Sequence, residues 1–559
     1  MIQLFAKVCW VLALLVGTGS ALARPEADQL PIACVERMPK LPQPYQMRDW
    51  RKVTEDYLNF LGNTEGRGEH LPLMLWQETE QPQIRLPSYV GGTGGPEGIN
   101  FLAAVVSGGL VGKDMRRFHG HDWVALSTNY FNAEDGVCGN GWGGGSGSSF
   151  WYDLFPNVLF FQICELNPGD PARDKMLFQV AEHWYQGCLV LGASTNGPGL
   201  PNFDHLALNL HSMKPVDNGR WIEPDGAAGV AWCEYMAWTQ FKDPRFLTAA
   251  DWSLRALLAR PPKKNPQYEV LLPYGALAAA RMNAELGRSY DVGKLLNWCF
   301  EPMESPAARP GWGVLSDRFG EIDCQGLVGS SKDTEGYAFA MNTFQWAGTL
   351  APLARYDTRC ARALGKWMLN LANASRLFYA NALPADHQDH RDWADAYDTN
   401  YCLAYEGLRK HPINSTNIQP YATGDVHDAN TNVLNFCLYG SAHVGTLGGI
   451  LSRTSDEQIL QIDLLRTDYF HARAYPTFLF YNPHPFATKF EADFGPQRCD
   501  LYDAVADRVI KRDVSGKTAL ELPADTAAVI IVAPARGKIT RQTGTVLIDG
   551  VAVKWNYPK

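Results

Sequence analysis

Two carboxyl groups stand just before a predicted buried helix and have the chemistry of an acid–base pair. Glu223 and Asp225 flank Pro224, and the residues after them are mostly small or aromatic as far as Trp238. Proline suits the first position of a helix, and a carboxylate there meets the positive end of the helix dipole. We predict a buried helix with acidic residues at its N-terminal end. We also predict that Glu234, inside the helix, is a paired carboxylate, because a lone buried charge is too costly. Helix capping alone would also explain the first two acids.

Three more acids occur in loops that are rich in Gly, Trp and Tyr. The candidates for acid–base chemistry are therefore Glu223, Asp225, Asp323, Asp333 and Glu335. Hydrolysis of a glycosidic bond commonly uses two carboxyl groups, one as acid and the other as base or nucleophile. We predict that the pair combines Glu223 or Asp225 with Asp323 or Asp333.

The chain is rich in aromatic residues, with 17 Trp, 23 Tyr and 25 Phe. Flat aromatic faces can stack on sugar rings, and several long loops combine Trp with Asp, Asn, His and Gly. Such loops would line a polar cleft if they emerged on one side of the fold. The predicted substrate-binding residues are Trp142, Trp151, Asn202, His205, Trp221, Trp312 and Tyr337.

A second set of side chains would suit a polysaccharide lyase acting on a uronate-containing glycan. Such an enzyme must neutralise the uronate carboxylate, abstract the C5 proton and protonate the leaving oxygen. The candidates are Asn202, His205, His211, Tyr337, Arg355 and Tyr356. A single His or Tyr in an aromatic-rich chain is more often structural. The formal net charge of −9 favours hydrolysis of a neutral or mildly charged glycan.

Other functions find little support in the sequence. The segments 119–122 and 386–390 contain His and Asp, but the zinc-protease and EF-hand patterns are absent, so we predict no metal site. The glycine run 143–147 lacks the ending of a phosphate-binding loop, and we expect no cofactor. The negative net charge argues against nucleic acid. The cysteines are scattered and form no CxxC pair.

Helices must hold these side chains, and the hydrophobic pattern predicts about a dozen. Besides an early helix over 49–61, the helical segments are 98–111, 150–166, 172–191, 224–240, 244–259, 268–286, 290–300, 335–353, 357–373, 394–409 and 440–453. Buried and half-exposed segments alternate, which predicts helical hairpins in two layers. After residue 456, short β-rich runs separated by turn signals predict an antiparallel sandwich.

The first 23 residues have the features of a secretory signal. Lys7 is the basic element, 8–16 the apolar core and 21–23 a cleavage site of small residues. We therefore predict an exported protein, periplasmic or extracellular, with a helical domain over 24–455 and a β-sandwich over 456–559. No later apolar run approaches the ~20 residues of a membrane span, so we predict none.

A ring of helical hairpins followed by a β-sandwich resembles the secreted (α/α)6-toroid carbohydrate-active enzymes. The segments 481–484, 499–503 and 522–525 look like the sandwich that closes such catalytic rings. The resemblance rests on architecture and singles out no family within the group. It implies a multidomain fold, mainly α plus β, and a glycan-degrading activity, with a glycoside hydrolase expected. A polysaccharide lyase and a non-catalytic glycan-binding protein are the alternatives.

Overall fold

The computed structural model describes residues 28–77, 83–92, 97–141, 147–301, 311–331, 336–412, 415–424 and 432–555. The predicted signal segment and three predicted site residues, Trp142, Asp333 and Glu335, lie outside these ranges, so what the sequence predicts for them stays a prediction. In the described part, no helix is both long enough and apolar enough to cross a bilayer.

Helices dominate the chain up to residue 450 and mostly follow the predicted segments. They are α1 (Ala33–Arg37), α2 (Trp50–Leu61), α3 (Gly98–Leu110), α4 (Trp123–Leu126), α5 (Phe150–Leu166), α6 (Pro171–Val190), α7 (Gly226–Phe241), α8 (Pro244–Ala259), α9 (Leu272–Leu286), α10 (Val292–Phe300), α11 (Ala340–Leu350), α12 (Leu353–Tyr356), α13 (Ala361–Ala374), α14 (Arg391–Tyr397), α15 (Leu438–Ala442) and α16 (Gly445–Ile450).

The inner helices contact one another in a closed cycle. α3 contacts α5, α5 contacts α7, α7 contacts α9, and α9 contacts α11; α11 contacts α15 and α16, and both of these contact α3. The pair α15 and α16 therefore fills the sixth position. Every residue of α7 from Gly226 to Ala237 is buried, as expected for a helix that is apolar nearly all round.

A second set of helices packs outside this cycle. α2 contacts α3 and α16, α6 and α8 contact α7, α10 contacts α9, and α13 contacts α11. Most of these helices keep an exposed face, and α2 buries one stripe with Trp50, Val53, Tyr57 and Leu61. α13 is the exception, because every residue from Ala363 to Ala374 is buried. The Asp49 carboxylate caps α2 by accepting the Lys52 N–H at 3.0 Å.

Two of the predicted helices are wrong. The predicted helix 394–409 ends at Tyr397 because the Asp398 carboxylate accepts the N–H groups of Cys402 and Leu403, at 3.0 and 2.8 Å, and turns the chain. The predicted helix 440–453 is broken into α15, α16 and a short strand. Glycine at 445, 448 and 449 weakens a continuous helix there.

The strands before residue 430 are short. They are β1 (Leu75–Gln77), β2 (Gln83–Arg85), β3 (Phe131–Asn132), β4 (Val137–Cys138), β5 (Ala207–Asn209), β6 (Lys214–Val216), β7 (Trp312–Val314), β8 (Val328–Ser330), β9 (Tyr337–Phe339), β10 (Gly407–Arg409) and β11 (Tyr421–Thr423). The last five form one antiparallel sheet in the order β11-β10-β9-β8-β7. The sequence did not predict this sheet because three-residue strands carry almost no periodic signal.

The last hundred residues are antiparallel β structure. The strands are β12 (Leu451–Arg453), β13 (Leu460–Asp463), β14 (Thr477–Tyr481), β15 (Thr488–Asp493), β16 (Cys499–Asp503), β17 (Arg508–Val514), β18 (Lys517–Leu522), β19 (Ala527–Pro534), β20 (Ile539–Gln542), β21 (Thr545–Ile548) and β22 (Val551–Trp555). β12-β13-β14-β19-β16-β17 form a six-stranded sheet, and residues such as Phe480, Phe490 and Ile530 pack it against the two-stranded sheet of β15 and β18. β14 and β19 also contact α13. The predicted mixture of helices and antiparallel sheets is therefore confirmed.

Candidate active site

A cavity of about 670 Å³ lies where the inner helices begin. Residues that precede or open each of these helices line it: Glu97 and Ile99 at α3, Ser149 and Trp151 at α5, Glu223 at α7, Glu269 at α9, Phe339 and Asn342 at α11, and Tyr439 at α15. The first N–H groups of a helix have no partner within the helix, and the dipole is positive there. Several helices begin around this one cavity, so their free N–H groups and positive dipole ends favour carboxylates in it.

Of the predicted acids that the structure describes, Glu223 lines this cavity. Its Oε2 accepts hydrogen bonds from the Ser149 hydroxyl and from the Trp151 N–H, the latter at 3.3 Å. The His205 carbonyl accepts the Glu223 N–H at 2.8 Å and fixes the backbone. Only 2% of the residue is exposed. Donors aimed at one oxygen stabilise the ionised form of a carboxyl group.

Glu269 is a second cavity acid, which the sequence placed inside a predicted helix. In the structure α9 begins later, and Glu269 has the left-handed φ of 52°. Asn342 Nδ2 donates to its Oε2 at 2.6 Å, while Gln267 Nε2 and Trp346 Nε1 donate to its carbonyl at 2.9 and 3.0 Å. Such a backbone costs of the order of 1 kcal/mol or more and is typical of functional sites.

Glu406 is a third cavity acid and comes from the segment that joins α14 to β10. The Tyr439 hydroxyl donates to its Oε1 and the Tyr337 hydroxyl to its Oε2, at 3.1 Å for the latter. Tyr337, predicted to bind substrate, does not line the cavity and holds this carboxylate instead. Burial, and then the Glu406 charge, raise the pKa of Tyr439 well above its ordinary value, so this phenol remains a donor.

Glu97 is the fourth cavity acid and stands immediately before α3. Burial raises the pKa of its carboxyl group, and a hydrogen bond with Ser88 opposes part of that rise. The sequence contained a pattern that could have identified Glu97, because it directly precedes the predicted helix 98–111. Glu223 precedes the predicted helix 224–240 in the same way. Glu269 and Glu406 gave no such signal, because both fell inside predicted helices.

The four glutamates form two groups. Burial raises the pKa of the Cys437 thiol, and the charges of Glu406 and Glu97 raise it further, so these two acids lie on the side of α15 and α3. Glu223 and Glu269 lie at α7 and α9. In the cycle of helices, α5 separates the two groups on one side and α11 on the other. Carboxyl groups therefore stand on opposing walls of the cavity.

Aromatic rings occupy the walls between the two groups. At the start of α5, Trp151 stacks on Tyr152 with ring centroids 3.8 Å apart. Before α11, Trp312 stacks on Phe339 at 5.2 Å. Trp221 lines the cavity as well. The structure therefore brings together three of the predicted tryptophans, and their contact with a substrate stays a prediction.

Several predicted site residues lie away from this cavity. His205 Nδ1 is 3.0 Å from a carboxylate oxygen of Asp217, and Asn202 lines a separate cavity of about 260 Å³. Asp323 is buried outside the lining, and its carboxylate accepts the Gln325 N–H at 3.2 Å. Asp225 does not line the cavity either, although it is only 1% exposed and two residues from Glu223.

The residues predicted for a lyase do not gather at this cavity. His211 Nδ1 is 2.9 Å from a carboxylate oxygen of Asp135 and is largely exposed. Arg355 and Tyr356 are buried, and both donate to the Asp468 carboxylate, at 2.7 and 2.8 Å. Neither pair lines the cavity.

Among its described residues, the cavity has acidic side chains and no basic ones. Its described lining contains four glutamates and no Lys, Arg or His. No group of three or more His, Cys, Asp or Glu within the described ranges is placed to hold a metal ion. The eleven cysteines of those ranges are buried thiols without disulfides. The chemistry at hand is that of carboxyl, hydroxyl and aromatic groups.

Comparison with known proteins gives matches among solved structures only. No protein-family model and no curated protein sequence matches the chain. The chain is similar to the GH76 α-mannanase of Bacteroides thetaiotaomicron (TM-score 0.39, 10% identity, 72% of this chain and 96% of that one). It is similar to endoglucanase CelQ of Clostridium thermocellum, complexed with cellotetraose (0.37, 11%, 91% and 99%), and to a type II terpene cyclase from Scytonema (0.34, 13%, 72% and 97%). Because these identities and TM-scores are low, we infer the function from the residues of the cavity.

Proposed function

We propose that the protein is a glycan-degrading glycoside hydrolase that uses a carboxyl pair across the cavity, with Glu97 as proton donor and Glu223 as its ionised partner. The observation that carries this proposal is the gathering of four glutamates at separate inner-helix starts around one aromatic-lined cavity. Glycosidic hydrolysis needs two carboxyl groups that flank the scissile bond. Rings such as Trp151 and Trp312 would stack on the sugars.

The two roles follow from the surroundings of the two carboxyl groups. A general acid must hold its proton at the working pH, and burial raises the pKa of Glu97. The partner must be ionised, and Glu223 accepts from the Ser149 hydroxyl and the Trp151 N–H. Glu406 and Glu269 complete the opposing walls and would hold sugar hydroxyl groups.

The closed cycle of helices supports a proposal about architecture as well. We propose that the cycle is the inner ring of an (α/α)6 toroid and that the C-terminal sheets form its closing β-sandwich. Export, directed by the predicted signal segment 1–23, belongs to the same proposal. The N-terminal sequence of the protein recovered from the periplasm or the medium tests it, and a retained Met1 would contradict it.

A polysaccharide lyase is less well supported. Its predicted residues are dispersed over the molecule, with His211, Arg355 and Tyr356 all outside the cavity. The described lining also lacks a basic side chain that would neutralise a uronate. These observations favour hydrolysis over elimination.

A panel of glycans incubated with the purified protein tests the proposed function. Products are measured as reducing ends and, in parallel, as ultraviolet absorbance of unsaturated uronates. We expect reducing ends without absorbance. Matching rises of both signals would indicate a lyase, and binding without either signal would indicate a non-catalytic glycan-binding protein.

Single substitutions then test the roles. Glu97→Gln and Glu223→Gln should each lower kcat by about 100-fold or more, since positioned proton transfer contributes at least that much. Glu65→Gln, at a largely exposed site, is the matched control and should leave kcat unchanged. The loss in Glu97→Gln should shrink on an aryl glycoside whose phenol leaves without protonation, and the loss in Glu223→Gln should not. Equal losses on both substrates would overturn the assignment of Glu97.

A further inference from the structure

Asp225 is a buried carboxyl group that stands beside the cavity without lining it. It precedes α7 as the N-cap residue, yet its side chain makes no capping hydrogen bond to that helix. Its Oδ2 accepts the N–H of Tyr268 instead, at 2.9 Å. The residue is 1% exposed, and its Oδ1 has no hydrogen-bond partner within the described residues.

The bond between Asp225 and Tyr268 joins the two segments that carry cavity acids on this side. Glu223 lies two residues before Asp225, and Glu269 directly follows Tyr268. Glu269 has a left-handed backbone, so its turn must be imposed by surrounding contacts. The Tyr268 N–H is the backbone donor immediately before that turn. Its acceptor therefore helps to set where the Glu269 side chain enters the cavity.

We propose that Asp225 is a positioning residue that works as a neutral carboxylic acid, tying the Glu223 and Glu269 segments together without adding a third negative charge between them. This role rests on the proposed function, because it is the placement of those two acids that Asp225 serves. It differs from the acid–base role that the sequence predicts for Asp225. A group outside the lining does not reach a substrate, whereas it can hold the groups that do.

The electrostatics of the position supports the neutral form. Burial raises the pKa of Asp225 well above its ordinary value. The hydrogen bond from the Tyr268 N–H lowers the pKa of Asp225, while the nearby charges of Glu223 and Glu269 raise it further. The Cys299 thiol on α10, whose pKa is raised by burial, lies near the same carboxyl group.

Asp225→Asn and Asp225→Ala together test this role. Asparagine keeps the shape and an oxygen acceptor for the Tyr268 N–H, so Asp225→Asn should retain most of the turnover. Alanine removes the acceptor, and a misplaced carboxylate can cost about 100-fold in kcat. If Asp225→Asn instead loses as much turnover as Asp225→Ala while remaining folded, Asp225 exchanges a proton with substrate, and the positioning role is wrong.

The protonation state has a readout that does not need a substrate. Infrared spectra at neutral pH should show a protonated-carboxyl band in the natural protein that Asp225→Asn lacks. Glu234→Gln, which alters another buried acid on α7, is the control and should leave that particular band in place. A protonated-carboxyl region that is the same in Asp225→Asn and the natural protein, with only carboxylate bands lost, would show an ionised Asp225 and overturn the proposal. Should no glycan be turned over at all, the proposed function fails, while the infrared comparison still decides the state of Asp225.

Discussion

Glu97 and Glu223 are the same side chain in two surroundings, and the difference underlies the roles that we propose for them. Burial raises the pKa of Glu97, with Ser88 giving only partial compensation. Glu223 receives a hydroxyl and a backbone N–H at the start of α5. This difference is the basis for proposing Glu97 as the proton donor and Glu223 as its partner.

The raised pKa of Glu97 predicts the alkaline limb of the pH profile. A proton donor is active below its pKa, so kcat/KM should fall as pH rises through the raised pKa of Glu97. In Glu97→Gln, the residual activity should lose that limb, because no group remains there to titrate. Initial rates across the pH range, with enzyme stability checked at each pH, provide the measurement. An unchanged alkaline limb in Glu97→Gln would mean that another group sets it.

Glu234, in the middle of α7, corrects a prediction from the sequence. The expected paired carboxylate is absent, since within the described residues neither of its oxygens has a hydrogen-bond partner. Burial raises the pKa of this fully buried carboxyl group well above its ordinary value, and Glu182 adds to the rise while Arg245 opposes it. The side chain is therefore accommodated by keeping its proton.

A protonated Glu234 makes the stability of the fold depend on pH. The folded state holds this proton above about pH 4.3, where an unfolded glutamate has lost it, so the free energy of unfolding falls as pH rises. Glu234→Gln removes that dependence, and its Tm relative to the natural protein should rise between about pH 5 and about pH 8. Thermal melts over this range measure the difference. A Tm difference that is constant with pH, as expected for the exposed control Glu65→Gln, would contradict a protonated Glu234.

The helices approach one another closely because small residues stand at their contacts. A Cβ added to Gly275 on α9 would lie 2.7 Å from the Cβ of Ala228 and 3.1 Å from its Cα, on α7. The close contact sets the spacing of the two helix starts that carry Glu223 and Glu269. The small side chains of Gly275 and Ala228 therefore also constrain the width of the cavity.

Gly275→Ala should separate α7 from α9. We expect a loss of about 1–3 kcal/mol in the free energy of unfolding, as is usual when a packed contact is overfilled. Gly293→Ala on the outer helix α10 is the matched control, because a Cβ added there would lie at an ordinary 3.4 Å from Asp291 Oδ1. Denaturant unfolding of both variants measures the difference. Equal stability of the two variants would mean that the inner contact has room to relax.

The helical part and the C-terminal sheets share a buried ionic cluster. The Asp468 carboxylate, between β13 and β14, accepts from Arg355 at 2.7 Å, and Arg281 Nη1 lies 3.4 Å from its other oxygen. Arg281 also donates to the carbonyls of Tyr469 and Phe470, at 2.6 and 3.0 Å. Two guanidinium groups from the helices therefore hold the segment that leads into the sheet.

Asp468→Asn should weaken this junction and the whole molecule with it. Removing one partner of a buried ion pair costs about 3–5 kcal/mol, because the remaining charges lose their compensation. Glu521→Gln, from the exposed pair with Lys489 at 3.9 Å, is the control and should change stability by less than about 1 kcal/mol. Calorimetry measures both. A loss in Asp468→Asn no larger than that of the control would show that the cluster contributes little to stability.

The sequence by itself determined the order and type of most elements. Apolar residues at helical spacing mark α2, α3 and α5 through α10, and short β-rich runs mark the C-terminal sheets. It also singled out Glu223 and three tryptophans of the cavity, because acids and aromatics beside a helix start leave a local pattern. It missed the five-stranded sheet and the end of α14, where the contacts of Asp398 with Cys402 and Leu403 decide the path of the chain.

Only the tertiary structure decided which acids meet. Glu97, Glu269 and Glu406 are far apart along the chain and become neighbours because the inner helices close into a cycle with their starts at one end. Spacing along the sequence cannot encode that meeting, since it depends on the packing of α3, α7, α9 and α15 against their neighbours. The same packing excludes Asp225 and Asp323 from the lining. Local propensity determines where a helix begins, whereas the contacts among the inner helices determine which residues its first turn faces.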